Sequence, residues 1–148
     1  MQGKSLCLKK LKSSGKEMDK LLKEAKNARE NAYAPYSKFK VGAVLKTKDG
    51  RIYKGANVEN ASYGLTNCAE RTALFSAYAD GVRKKDIESF LVLGDTKAPI
   101  SPCGACRQVM SELLTKETKI VLANLKGNMK EVTVSELMPY PFEEVENE

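Results

Sequence analysis

Three of the chain's four cysteines are Cys68, Cys103 and Cys106. Cys103 and Cys106 stand at C-x-x-C spacing, a two-ligand clip for one metal ion where a turn leads into a helix. Thiolate sulfur is a strong ligand for zinc in four-coordinate tetrahedral sites, and Cys68 brings a third sulfur from a distant segment. Three protein ligands leave one position open, which is the pattern of a catalytic zinc and not of a structural one. Glu70 lies two residues after Cys68, too near to share the ion comfortably but well placed beside the open position. Alone, a Cys-x-Glu reads equally well as a surface carboxylate on a helix's first turn. Beside three sulfurs it is a candidate general acid–base. The sequence contains no histidine, so mechanisms that need imidazole, including Ser-His-Asp and Cys-His catalysis, are excluded.

Cys68-x-Glu70 followed by Pro102-Cys103-x-x-Cys106 is the established signature of zinc deaminases. A wider set of residues resembles the small homotetrameric cytidine deaminases: Asn57-Val58-Glu59-Asn60-Ala61-Ser62-Tyr63, Cys68-Ala69-Glu70-Arg71, and Pro102-Cys103-Gly104-Ala105-Cys106-Arg107-Gln108. The resemblance runs from about Tyr33 to Phe142, in the family's order and spacing. It implies one zinc ion per subunit and hydrolysis of cytidine and deoxycytidine to uridine and deoxyuridine in pyrimidine salvage. It also implies a homotetramer with shared active sites.

The resemblance further implies that Asn57 and Glu59 hydrogen-bond the sugar 3′-hydroxyl and that Phe39 packs on the base. Ala69 and the Ser101-Pro102 backbone would bind the base edge. Ala61 and Tyr63 match positions where a neighbouring subunit meets the ribose, and Phe142 matches an aromatic that closes a neighbour's pocket. Without the resemblance, Asn57 and Glu59 read as edge-strand polar residues facing water, and Phe39 as core. Leu137-Met138-Pro139-Tyr140-Pro141-Phe142 departs from the family's usual Leu-Leu-Pro pattern at Tyr140-Pro141.

Zinc with three thiolates carries net negative charge, which opposes acidification of a water at the open position. Two helix N-termini, each equivalent to roughly half a positive charge, would offset part of it. Arg71, one turn after Cys68, is placed to donate hydrogen bonds to ligand sulfur and offset more. A carboxylate at Glu70, on the low-dielectric side of an anionic site, has reason to titrate high.

The elements that must position these groups are legible from periodicity. Residues 1–16 carry little of it and contain Ser13-Ser14-Gly15, so they read as a partly mobile extension ahead of a single domain at 17–148. Leu6, Leu8 and Leu11 allow the alternative of a short packing helix. Cys7, with no ligand spacing around it, reads as a free thiol. From Glu17, the residues Met18, Leu21, Leu22, Ala25, Ala28 and Ala32 mark an amphipathic helix that stops before Pro35. Strands are expected over 39–45 and 51–58, joined by an Asp49-Gly50 hairpin turn. A buried helix over 68–80, a continuous apolar strand over 90–94, and a helix over 103–114 follow. Strands at 120–123 and 131–134 and a last turn at 135–138 complete the chain. The order predicts an α/β three-layer domain, α/β/α, around a five-stranded mixed sheet. Each sulfur then falls at the start of a helix.

A length of 148 residues, 42% hydrophobic and 30% charged, suits one ordinary globular domain. No apolar run approaches the roughly 20 residues of a membrane helix, and the basic N-terminus lacks a signal peptide's apolar core. The expectation is a cytoplasmic protein, where clustered thiols favour metal over disulfide. Net charge is +6, but the lysines crowd the first 26 residues and no aromatic-interleaved basic stripe follows, which argues against nucleic acid. Two other readings stay open beside the nucleoside hydrolase. One is a related deaminase of a cytosine-containing antibiotic or modified nucleoside, against which the Asn57–Glu59 pattern weighs. The other is a zinc-stabilised nucleic-acid-binding protein, for which only Cys7 is available as a fourth ligand. Polynucleotide editing is disfavoured, because a C-terminal lid and shared pockets leave little room for a strand.

Overall fold

The computed structural model describes residues 2–145, with side chains from Gly15 onward. Helix α1 (Gln2–Glu30) leads into β1 (Val41–Thr47) and β2 (Ile52–Ala56). Helix α2 (Ala69–Ala79), strand β3 (Ile87–Gly94) and helix α3 (Gly104–Leu113) follow. The chain then forms β4 (Lys119–Asn124), β5 (Met129–Thr133) and the single-turn α4 (Val134–Leu137). Strand order is β2-β1-β3-β4-β5, antiparallel except for the parallel β3–β4 pair. This is the expected five-stranded mixed sheet. No helix among the described residues is long and apolar enough to cross a membrane.

Side chains alternate between two cores, as the two-residue period of a strand requires. On one face α1 lays Leu21 and Ala25 over Val44, Leu91, Leu93, Val121 and Ala123. On the other, α2 and α3 lay Ala73, Leu74, Ala77, Met110 and Leu114 over Ala43, Leu45, Phe90, Val92, Ile120 and Leu122. Strand β3 is covered on both faces from Phe90 onward, which explains the continuous apolar run Phe90–Leu93.

Strand β3 begins at Ile87 and not at Phe90, and β5 at Met129 and not at Glu131. Two further boundaries differ from the sequence expectation. The first helix does not begin at Glu17 but runs back to Gln2, through Ser13-Ser14-Gly15. A glycine inside a helix costs only about 1 kcal/mol relative to alanine, against about 3 for proline, and this segment has no proline. The Cys7 side chain lies outside the described residues. The second difference is that β1 and β2 are shorter at the ends nearest the site, leaving Phe39, Asn57 and Glu59 in irregular backbone. Lys38 there adopts positive φ, +59°, and Val58 makes only isolated bridges, to Tyr33 and to Asn67.

Helix α2 sits unusually close to the sheet. A Cβ at Gly55 of β2 would collide with the Ala69 carbonyl oxygen and the Ala73 amide nitrogen. Gly55 pairs with Ala43, so two of the smallest residues sit side by side beneath the helix. The first turn of α2 carries Ala69 and Glu70, so this contact sets the height of the site above the sheet. Gly55→Ala is expected to destabilise the protein by about 1–3 kcal/mol, as overpacking does, and to lower activity as the turn lifts. Denaturant unfolding and an assay on one preparation check this. A neutral result in both would mean that α2 can slide without consequence.

Candidate active site

Cys68 and Cys103 are the N-cap residues of α2 and α3, in extended conformation, and Cys106 lies in the first turn of α3. The two helices thus converge N-terminus first, and the three Sγ atoms lie within 4.8 Å of one another. Cys68 and Cys103 are 3.9 Å apart. Cys106 is buried, Cys68 half-buried and Cys103 exposed, so the cluster meets the surface at Cys103.

The surrounding charges favour sulfur in its anionic form. Arg71 Nη2 donates to Cys68 Sγ at 3.4 Å. The Cys68 thiol is pulled down to about 5 by the hydrogen bond from Cys106, with Arg71 and Cys103 adding to it. Cys106 moves the other way, raised by its bond to Cys68, by burial and by the Glu70 charge. One sulfur therefore ionises readily, and the second is held back by the first. A divalent cation among them removes that conflict. Arg71 supplies a second sign of fit, because its Nε is buried without a hydrogen-bond partner. Three thiolates would provide acceptors at that spot, whereas protonated thiols are weak ones. The donor set and spacing suit zinc.

Glu70 is 5% exposed and accepts a hydrogen bond from Cys106 Sγ at 3.8 Å. Desolvation raises its carboxyl above the usual range, and the Cys68 charge adds to the shift. A buried carboxyl touching the sulfur cluster is costly to keep ionised. Such groups are concentrated at functional sites.

Asn57 and Glu59 hold the 36–41 loop. Asn57 Oδ1 accepts from the Val41 amide at 2.8 Å, and its Nδ2 donates to the Phe39 carbonyl at 2.8 Å. Glu59 accepts from the amides of Tyr36 and Ser37, each at 3.0 Å, and from the Ser37 hydroxyl. That hydroxyl, then the Ser37 amide, keeps the Glu59 carboxyl below the usual range, so it is an anionic acceptor at neutral pH. Phe39 is 38% exposed, with its ring edge near Gly94. Ala69 is buried at the head of α2, Pro102 is buried, and Ser101 is exposed.

Tyr63 and Phe142 are largely exposed, at 77% and 76%, and Ala61 is also on the surface. Tyr63 packs edge-on against Tyr36 at 6.1 Å. These two rings, with Ser37, Glu59 and Thr66, line a cleft of about 390 Å³ that the cysteines do not reach.

Two residues to which the sequence reading gave no role, Arg107 and Gln108, make extensive contacts here. Arg107 bridges the Ser101-Pro102 segment to Leu137, and Gln108 grips the backbone of Phe142. Polar residues directly after Cys106 were the available signal. Their partners Leu137 and Phe142 lie 30 and 34 positions downstream, beyond the reach of local spacing.

Residues 16–122 match the sequence model of the cytidine and deoxycytidylate deaminase zinc-binding region. A cytidine deaminase of Halalkalibacterium halodurans is 61% identical over 122 residues, covering 82% of this chain and 91% of that protein. One from Sporosarcina psychrophila is 52% identical over 126 residues, covering 85% and 91%. The crystal structure of cytidine deaminase from Burkholderia pseudomallei superposes with a TM-score of 0.82 at 55% identity, covering 84% of this chain and 98% of that one. With the sulfur cluster and the buried glutamate in place, the chain belongs to the zinc-dependent cytidine deaminase family.

Proposed function

We propose that this protein hydrolyses cytidine and deoxycytidine to uridine and deoxyuridine with release of ammonia, a step of pyrimidine salvage in the cytoplasm. The observation that carries this reading is the buried Glu70 carboxyl against a three-cysteine cluster at two converging helix N-termini. Cys68, Cys103 and Cys106 would hold one zinc ion, which when bound acidifies water toward neutral pH and so supplies a nucleophile for C4 of the base.

The chain's own groups do the rest. Glu70 takes the proton of the attacking water and returns protons to the ring nitrogen and to the departing amine. Its raised proton affinity matches a group that must both accept and donate. Arg71 and the two helix ends compensate the thiolate charge. Phe39 covers one face of the base, while Ala69 and the Ser101-Pro102 backbone meet its edge. Asn57 and Glu59 orient the sugar hydroxyl, Asn57 with its remaining amide hydrogen and Glu59 as anion. The same two residues fix the loop that carries Phe39, which ties sugar recognition to base packing.

Residues 17–148 act as one domain in a homotetramer whose sites are shared. The exposure of the large apolar side chains Tyr63, Leu65 and Phe142 supports this, since a subunit interface would cover them. Ala61 and Tyr63 meet the neighbour's ribose, and Phe142 closes the neighbour's pocket.

Absorbance loss near the cytidine band, measured on nucleoside and on single-stranded DNA, tests the substrate class. The free nucleoside alone is expected to react, and reaction confined to DNA would overturn the proposal. Mixing Phe142→Ala subunits with Glu70→Gln subunits tests sharing. Hybrids place an intact Phe142 beside an intact Glu70, so activity should exceed the sum of the separate variants. No recovery in demonstrated hybrids would leave Phe142 as packing only.

A further inference from the structure

Each of the three nitrogens of the Arg107 guanidinium donates to a different partner. Nε donates to the Pro102 carbonyl at 2.8 Å, Nη1 to the Leu137 carbonyl at 3.0 Å, and Nη2 to the Ser101 hydroxyl at 2.5 Å. One residue on, Gln108 makes a reciprocal amide pair with Phe142: Nε2 donates to its carbonyl at 2.9 Å, and Oε1 accepts from its amide at 3.0 Å. The segment between these anchors is Met138-Pro139-Tyr140-Pro141, in which two residues have no amide hydrogen to give. Such a strap cannot fasten itself by a backbone ladder. Its two ends are instead fixed to the turn of α3 that carries Cys106.

We infer that Arg107 is a positioning residue for deamination, locking the Ser101-Pro102 segment and the 138–142 strap into one body whose far end Gln108 holds. This rests on the deaminase reading, in which both parts meet substrate. Ser101-Pro102 leads directly into Cys103, so any shift of that segment moves the base edge relative to the sulfurs. A misplacement of about 1 Å can cost about a hundredfold in rate. A lysine cannot replace the planar fork, because its point charge does not serve three divergent acceptors.

The test compares wild type, Arg107→Lys, Arg107→Ala and Gln108→Leu, with zinc content and Tm measured on each. In zinc-replete protein, Arg107→Lys and Arg107→Ala should lower kcat by about 10- to 100-fold with little change in KM. Methylguanidinium should restore part of the kcat of Arg107→Ala and none of that of Glu70→Gln. Gln108→Leu should raise KM by about tenfold, the worth of a pair of hydrogen bonds. Amide hydrogen exchange gives a readout without substrate. The Phe142 amide should exchange faster in Arg107→Ala and Gln108→Leu, while amides of β3 stay unchanged. A kcat loss that merely tracks lost zinc or lowered Tm, with no rescue, would overturn the inference. So would unchanged exchange at Phe142 in both variants. Inactivity of wild type on cytidine would overturn the deaminase reading itself, a distinguishable result because the exchange rates still decide whether the clamp exists.

Discussion

Glu70→Gln is expected to fold, retain zinc and lose about a hundred- to ten-thousand-fold in turnover, toward the upper end because one carboxyl serves several proton transfers. Glutamine keeps the size and one acceptor, so Cys106 retains a partner and the buried site is not emptied. What disappears is the capacity to bind and release a proton. Near-normal turnover in a zinc-replete variant would remove Glu70 from the mechanism.

The same residue allows a stability measurement with a sign of its own. Burial raises the Glu70 carboxyl in the folded protein, so the folded state binds a proton more tightly than the unfolded chain. Its contribution is therefore most favourable below the unfolded carboxylate range and is lost as pH rises through the folded value. Above the unfolded carboxylate range the buried Glu70 therefore costs stability in metal-free protein. Metal-free Glu70→Gln should accordingly melt higher than metal-free wild type at pH 7, with the gap closing near pH 4. A lower Tm for the variant at pH 7 would mean that the carboxyl is kept for the fold and not for chemistry.

The chemistry-bearing residues were legible because their spacing is local. Cys103-x-x-Cys106 and Cys68-x-Glu70 each fit within one turn, and the helices they open announce themselves by period and by small inward residues such as Ala69, Ala73 and Ala77. The central strand was legible for a similar reason, since the run from Phe90 to Leu93 has no polar residue to mislead. Strand ends were harder to read. Phe39 and Val58 have strand-like composition, yet the backbone around them leaves the ladder and is held by side-chain hydrogen bonds of Asn57 and Glu59. The start of α1 was misread because Ser13-Ser14-Gly15 has turn composition but no proline to enforce a stop. Arg107 and Gln108 stayed silent for a third reason. They tie nearby Ser101 and Pro102 to carbonyls and an amide far along the chain, and a sequence period carries no trace of such contacts.

Cys103→Ser should abolish both zinc binding and activity while leaving a folded protein. Cys103 is the informative ligand to change because it is the exposed one, so the substitution removes a ligand without disturbing the core. The corresponding change at Cys106, which is buried in the α3 face of the core, would mix metal loss with packing loss. A serine hydroxyl stays protonated at neutral pH and is a poor replacement for thiolate. Two sulfurs then remain where zinc prefers four-coordinate sites. Metal binding is linked to folding, so wild type should lose thermal stability when a chelator strips the ion. At free zinc a hundredfold above Kd the linked stabilisation is about 2.7 kcal/mol. Cys103→Ser should melt at the temperature of chelated wild type and show no further response to chelator. Cys7→Ser is expected to keep full zinc, full activity and the wild-type response, since no ligand spacing surrounds Cys7 in the sequence. Zinc at one equivalent in Cys103→Ser would overturn the three-sulfur assignment. Loss of zinc in Cys7→Ser would place the fourth cysteine at the metal and turn an open catalytic site into a closed structural one.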